Sequence, residues 1–230
     1  MGRFAEFHTT DKSGWLRAAV LGANDGIVST SSLVIGMASS QAARGDVWVA
    51  GVAGLLAGAL SMAAGEYVSV SSQADSENAD RERERRELLT DAAFEREELA
   101  NIYVKRGLTP ELATEVAKQL MAHDALGAHL RDELGITETL AARPVQAAIF
   151  SALSFSLGGG VPVLLIGLLP VASLAWVIAA VSILLLAVMG AFAAKIGGAP
   201  VLKSCWRVVF WGALAMGITA GVGRLAGAVV

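Results

Sequence analysis

Charged residues divide this chain into stretches that carry almost none and one stretch that carries most of them. From Val145 to Ala194 there is no Asp, Glu, Lys or Arg in fifty consecutive positions. A core helix of a soluble domain needs no such length, whereas two membrane spans do, at about 20 residues each. The same pattern predicts five spans. The first covers residues 16–40, with Asp25 the one charge away from its edges, and the second covers 47–70, uncharged until Glu66. The third and fourth share the uncharged fifty and divide at Pro170, which suits a tight hairpin. The fifth covers residues 206–227.

Between spans two and three the pattern changes. Residues 75–143 hold 16 acidic and 10 basic side chains. The run "DRERERRELL" contains no helix breaker, so span two is expected to continue past the membrane as one long helix. Thr90 and Asp91 can cap a second helix over 92–106, which Gly107 ends. Thr109 and Pro110 start a third, which Gly135 closes. Some seventy residues make a small core, so this segment is expected to lean on a second copy of itself. The fold class is an all-α membrane protein: five transmembrane helices with a small helical cytoplasmic metal-binding module between helices 2 and 3. Its divisions are residues 1–73, 74–143 and 144–230.

Composition and charge place the ends. The chain is 54% hydrophobic and 17% charged, well below the charge of an ordinary soluble domain. With the N-terminus inside, 16 of the 18 Lys and Arg fall on that side, and only Arg44 and Arg224 on the other. The positive-inside rule then puts the N-terminus and the module in the cytoplasm and the C-terminus outside. The polar opening residues lack the apolar core of a signal peptide, and no Ser or Thr stands at position 6 for myristoylation. The single Cys205 reads as a small apolar residue at a helix end. There is no phosphate loop and no C-x-x-C pair, and none of His8, His123 and His129 stands in a Glu-x-x-His motif. A di-iron oxidase is therefore disfavoured and the chain is read as a non-enzyme; nothing points to nucleic acid.

The candidate chemistry is carboxylate-rich. Glu84 and Glu87 are three apart and share a helix face, as do Glu95 and Glu98 on the next helix. Like charges at that spacing repel, so the arrangement does not serve helix stability. Two facing helices with such pairs can surround a divalent cation. Met121 and Asp124 form a further pair on the third helix, and a thioether beside carboxylates suits a borderline transition metal. The alternative is a solvated, salt-bridged face, since arginines interleave the acids. Glu66, Gln73, Glu77, Asp80, Glu84 and Glu87 lie on one face of the long helix, with Met62 one turn before Glu66. This stripe reads as an ion route, because intramembrane ionisable residues normally face a pathway. An Asp such as Asp25 near mid-bilayer costs roughly 2.5–3.5 kcal/mol. With spans one and two as neighbours, Asp25, Asn24 and Met62 could share one dehydrated cation. Gly22 and Gly26 flank Asp25 and let another helix approach closely. A structural hydrogen bond from Asp25 to a neighbouring helix is the alternative.

The stretches "WLRAAVLGANDGIVSTSSLVIGM", "GLLAGALSMAAGEYVSVSSQAD" and "MAHDALGAHLRDELGI" resemble the vacuolar iron transporter (VIT) family in its bacterial form, over nearly the whole chain. The resemblance implies a homodimeric five-span carrier that moves Fe²⁺ and Mn²⁺, with Co²⁺ and Zn²⁺ as related cargo, out of the cytoplasm in exchange for protons. It places the family's membrane metal ligands at Asp25 and Met62; Glu66 joins them as a membrane carboxylate by its place on the stripe alone. Its cytoplasmic ligands fall on Glu84, Glu87, Glu95, Glu98, Met121 and Asp124. The chain departs from plant members at Gly54, where they carry a glutamate, and at Glu66, where they carry a glycine. Asp25 then holds a cation when loaded and a proton when empty, which is itself a coupling device. Two other readings stand beside it: a cation channel with the same ligands and no proton exchange, and a membrane-anchored metal buffer in which the acidic module binds and the spans merely hold it.

Overall fold

The structure, a computed structural model, describes residues 13–137 and 142–229. The amino-terminal tail on which the absence of cleavage and acylation was argued lies outside them. The described residues form seven helices: α1 (Ser13–Ser39), α2 (Arg44–Thr90), α3 (Ala92–Lys105), α4 (Pro110–Asp132), α5 (Pro144–Leu168), α6 (Val171–Ile196) and α7 (Val201–Val229). Of these α1, α2, α5, α6 and α7 are long and apolar enough to cross a membrane, as the charge pattern predicts. Pro170 sits at the N-cap of α6. The 47 residues of α2 form one uninterrupted helix, so the charged run does continue span two. The chain forms two compact units: Ser69–Arg143, and the segments up to Val68 and from Pro144 onward.

In the larger unit α1 is the central helix, with α2 beside it as expected. The α1 backbone comes closest to α5, α6 and α7, while α2 meets α1 and α5 through side chains, with Val34 and Ile166 at Gly51, Leu33 at Gly54 and Phe155 at Gly58. Glycines decide this. A Cβ on Gly26 would run into the backbone carbonyl of Phe155, and one on Gly158 into that of Ala23. The α1 and α5 backbones therefore meet directly, as small residues allow between helices in lipid. Gly36 and Gly223 make a similar approach between α1 and α7. Around these crossings Ile27, Val34 and Ile35 of α1 pack with Ile166, Leu174, Ile178, Leu186 and Met216. A buried hydrogen bond of 2.7 Å between the Ser31 and Ser182 hydroxyls ties α1 to α6. At the start of α2, Arg44 donates to the carbonyls of Ile166 (2.8 Å) and Gly167 (2.7 Å). These belong to the last turn of α5, where carbonyls lack helical partners.

Gly26→Val should lower the stability of this unit by at least about 2 kcal/mol, because the backbone it collides with cannot move aside as a side chain can. Gly65→Ala serves as the control, since nothing lies within 4 Å of a Cβ there. Thermal unfolding in detergent checks both; equal melting temperatures for the two variants would contradict the close crossing.

In the smaller unit α3 and α4 pack through Leu99, Ala100, Ala113, Ala117 and Ala128. Asp91 caps α3 by accepting from the Phe94 N–H at 3.0 Å, and Thr109 caps α4 by accepting from Leu112 at 3.4 Å. Thr90 does not cap α3; it ends α2, its hydroxyl donating to the Arg86 carbonyl. Gly107 and Gly135 take positive φ of 103° and 68° after their helices, the conformation that ends helices and favours glycine. One feature departs from the expected straight third helix. Asp124 is non-helical (φ −157°, ψ 90°) and breaks α4. Its Oδ1 accepts from the Gly127 N–H at 2.9 Å, which caps the segment 125–132 as a separate short helix.

Candidate metal sites

Each unit holds a cavity lined by at least one of the acidic side chains singled out above. In the larger unit, Asp25, Ser29 and Thr30 of α1, Ser61 and Met62 of α2, and Phe155 of α5 are among the residues lining a cavity of about 210 Å³. The sequence-predicted pair Asp25 and Met62 thus faces one space. Glu66 and Asn24 are not among its lining residues, whereas Gly54 is. The Ser29 hydroxyl donates to the backbone carbonyl of Asp25 at 2.6 Å, leaving the Asp25 carboxylate to the cavity. Thr30 is buried, and its Oγ1 has no hydrogen-bond partner.

In the smaller unit, Glu84 and Glu87 of α2, Glu95 and Glu98 of α3, and Glu133 after α4 line a cavity of about 440 Å³. The four sequence-predicted glutamates come together here, with Glu84 and Glu95 almost fully buried. Glu87 is exposed and Glu98 half-buried. Between the buried acids stands His129, itself fully buried. Its Nδ1 donates to Glu133 Oε2 at 3.1 Å, and lies 3.0 Å from Glu84 Oε1 and 3.8 Å from Glu95 Oε2. One N–H cannot satisfy three carboxylates. Glu84 Oε1, Glu95 Oε2 and His129 Nε2 are left buried without a hydrogen bond, a costly state for polar groups.

The electrostatics follow from this crowding. Burial pushes the Glu84 carboxyl up, the nearby imidazole pulls it down, and Glu133, Glu95 and Glu87 push it up again, to about 7. Burial and then Glu98 raise Glu95 against the same imidazole. A divalent cation relieves both effects by supplying the missing positive charge. Ligand atoms of Glu84, His129 and Glu133 lie within 4.8 Å of one another, and a donor set of oxygens with one imidazole nitrogen suits borderline divalent metals. Two of the interleaved arginines pair with exposed acids: Arg85 with Glu82 at 3.4 Å, and Arg83 with Asp80 at 3.6 Å, this second pair also lining the cavity. The solvated-face reading therefore describes Asp80 and Glu82, and the buried cluster describes Glu84 and Glu95.

Met121 and Asp124 are not brought to this cavity. Met121 packs against the α3–α4 core, and exposed Asp124 caps the second part of α4. Sequence reading passes over His129 and Glu133. The signal available was their spacing of four on a predicted helix, beside the closing Gly135.

The VIT family model matches residues 16–224. A vacuolar iron transporter of Acanthamoeba castellanii is 50% identical over 218 residues, covering 94% of this chain and 80% of that one. Vacuolar iron transporter homolog 5 of Oryza sativa subsp. japonica is 38% identical over 221 residues, 96% of this chain and 84% of that one. VIT-like transporter 1b of Glycine max is 35% identical over 229 residues, 97% and 83%. With a family model spanning nearly all of the chain and a relative sharing half of its residues, the chain belongs to the VIT family.

Proposed function

We propose that this multi-pass membrane protein transports divalent transition-metal ions, Fe²⁺ first and Mn²⁺ with it, out of the cytoplasm in exchange for protons. The observation that carries this reading is the cavity that a carboxylate, Asp25, and a thioether, Met62, line together. Support comes from the relatives named as iron transporters. In this reading Glu84, Glu95, His129 and Glu133 bind the ion on the cytoplasmic side, with Glu87 and Glu98 at the mouth of their cavity. Asp25 holds the ion at the membrane site and carries a proton when the ion is gone, so cargo and proton compete for one carboxylate. Met62 contributes a soft donor that favours a transition metal over Ca²⁺ or Mg²⁺. Glu66 does not line the cavity, so the membrane site rests on Asp25 and Met62. The protein works as a homodimer in a cell membrane in this reading, with Co²⁺ and Zn²⁺ as further cargo.

The test is uptake of Fe²⁺, kept reduced, into sealed vesicles holding the full chain, with a pH dye read in parallel. Metal flux with opposite proton movement is the expected result. Flux without proton movement would make the protein a channel, and metal binding without flux would make it a buffer. Either overturns the exchange mechanism.

A further inference from the structure

The break at Asp124 raises a mechanical problem for the metal site in the smaller unit. His129 lies on the short segment 125–132 and Glu133 directly follows it, so helical continuity with the front of α4 does not orient either group. Their partners Glu84 and Glu95 sit on other helices. Something must hold this two-turn segment in place.

The end of α3 supplies the tie. Arg106 Nη1 donates to Asp132 Oδ1 at 2.6 Å, and its Nη2 donates to the Asp132 backbone carbonyl at 2.8 Å. The Tyr103 hydroxyl donates to Asp132 Oδ2 at 3.0 Å, and the Arg106 guanidinium stacks over the Tyr103 ring at 5.2 Å. Arg131 adds a further donor to Oδ2 at 3.0 Å. The Asp132 side chain is almost buried. Burial pushes its carboxyl up, but hydrogen bonds from Arg106, Arg131 and Tyr103 outweigh that and hold it below the ordinary value. A charge-assisted contact of this kind, made to both the side chain and the backbone of one residue, fixes direction as well as distance. Asp132 stands one residue before Glu133 and three after His129, so whatever fixes Asp132 fixes both.

We propose that Asp132, gripped by Arg106 and Tyr103, is a positioning residue for metal binding: it touches no ion and sets affinity by holding His129 and Glu133 against Glu84 and Glu95. This rests on the reading of that cluster as a metal site. Groups that orient ligands from behind commonly account for tenfold or more in metal affinity.

The experiment is Co²⁺ calorimetry on the full-length protein in detergent, with the visible Co²⁺ spectrum recorded at saturation. The module site is the binding component that His129→Leu removes; if the unsubstituted protein shows no such component, the metal-site reading fails and the tie is not at issue. Asp132→Asn should weaken that component by about tenfold to a hundredfold and change the Co²⁺ band, which reports ligand number and geometry. Arg106→Lys, which keeps the charge but not the two-pronged grip, should lose less than Asp132→Asn. Should Asp132→Asn not fold, Tyr103→Phe removes one hydrogen bond and should cost about fivefold. Unchanged affinity and spectrum in these variants, with only the metal-free melting temperature lowered, would overturn the proposal and leave the tie a structural contact.

Discussion

Replacing Asp25 with alanine should bring metal uptake into vesicles down to background while the melting temperature stays the same or rises. No hydrogen bond or ion pair to the Asp25 carboxylate is seen among the described residues. The Ser29 hydroxyl reaches the backbone carbonyl instead, so the substitution strands no partner. It also removes a charge from an apolar surrounding, where charge is expensive. Transport is another matter, since in the function proposed above one change takes away both the anionic ligand and the proton carrier of the membrane cavity. Met62→Leu at the same cavity preserves volume and should leave folding nearly unchanged. Its uptake loss should be larger for Co²⁺ than for Mn²⁺, because the softer ion gains more from sulfur. Uptake assays at equal protein over several metal concentrations check the pair. Near-normal uptake by Asp25→Ala would reduce that aspartate to a structural residue.

The second large effect lies in the buried glutamates. With a chelator present, amides of α3 and α4 should exchange more slowly at pH 5.5 than at pH 8, after correction for intrinsic rates. Glu84 has its folded-state pKa raised from 4.5 to about 7, so the folded state takes up a proton more readily than the unfolded chain. The resulting stabilisation is fully present below 4.5 and is lost as pH rises through 7. Between pH 8 and 5.5 this amounts to roughly 1–2 kcal/mol, or about five- to thirtyfold in the opening equilibrium. A divalent metal at pH 8 should restore the protection, since a bound ligand stabilises by mass action. Glu84→Gln should remove the pH dependence, and an undiminished dependence in that variant would locate its source elsewhere.

How far the sequence revealed this molecule depended on how local each signal was. The spans were legible because a bilayer demands a charge-free length that little else requires. The caps Asp91 and Thr109, and the closing Gly107 and Gly135, were legible because each acts within a few residues. The glutamate pairs at 84, 87, 95 and 98 were legible as faces of two helices. Long-range choices were not. Gly22 and Gly26 announced a close approach but not the partner, which is α5. The kink at Asp124 comes from a side chain competing with the helix for a backbone N–H, a contest that spacing alone does not decide. Reading α4 as straight drew attention to Met121 and Asp124. His129 and Glu133 went unnoticed because only the Glu-x-x-His spacing was weighed.

The glycine crossing between α1 and α5 has a consequence for stiffness. Where two backbones touch without side chains between them, neither helix can slide by rotamer changes, so the pair is rigid. The membrane cavity takes one wall from this pair, through Asp25, Thr30 and Phe155, and the other from α2, through Ser61 and Met62. α2 meets that pair through side chains, with Leu33 at Gly54 and Phe155 at Gly58, so the second wall adjusts by rotamer changes and is the more compliant. A chamber with one rigid and one compliant wall opens by displacement of the compliant one. Cross-links that pin α2 to α1 should therefore stall transport, whereas cross-links between α1 and α5 should be tolerated.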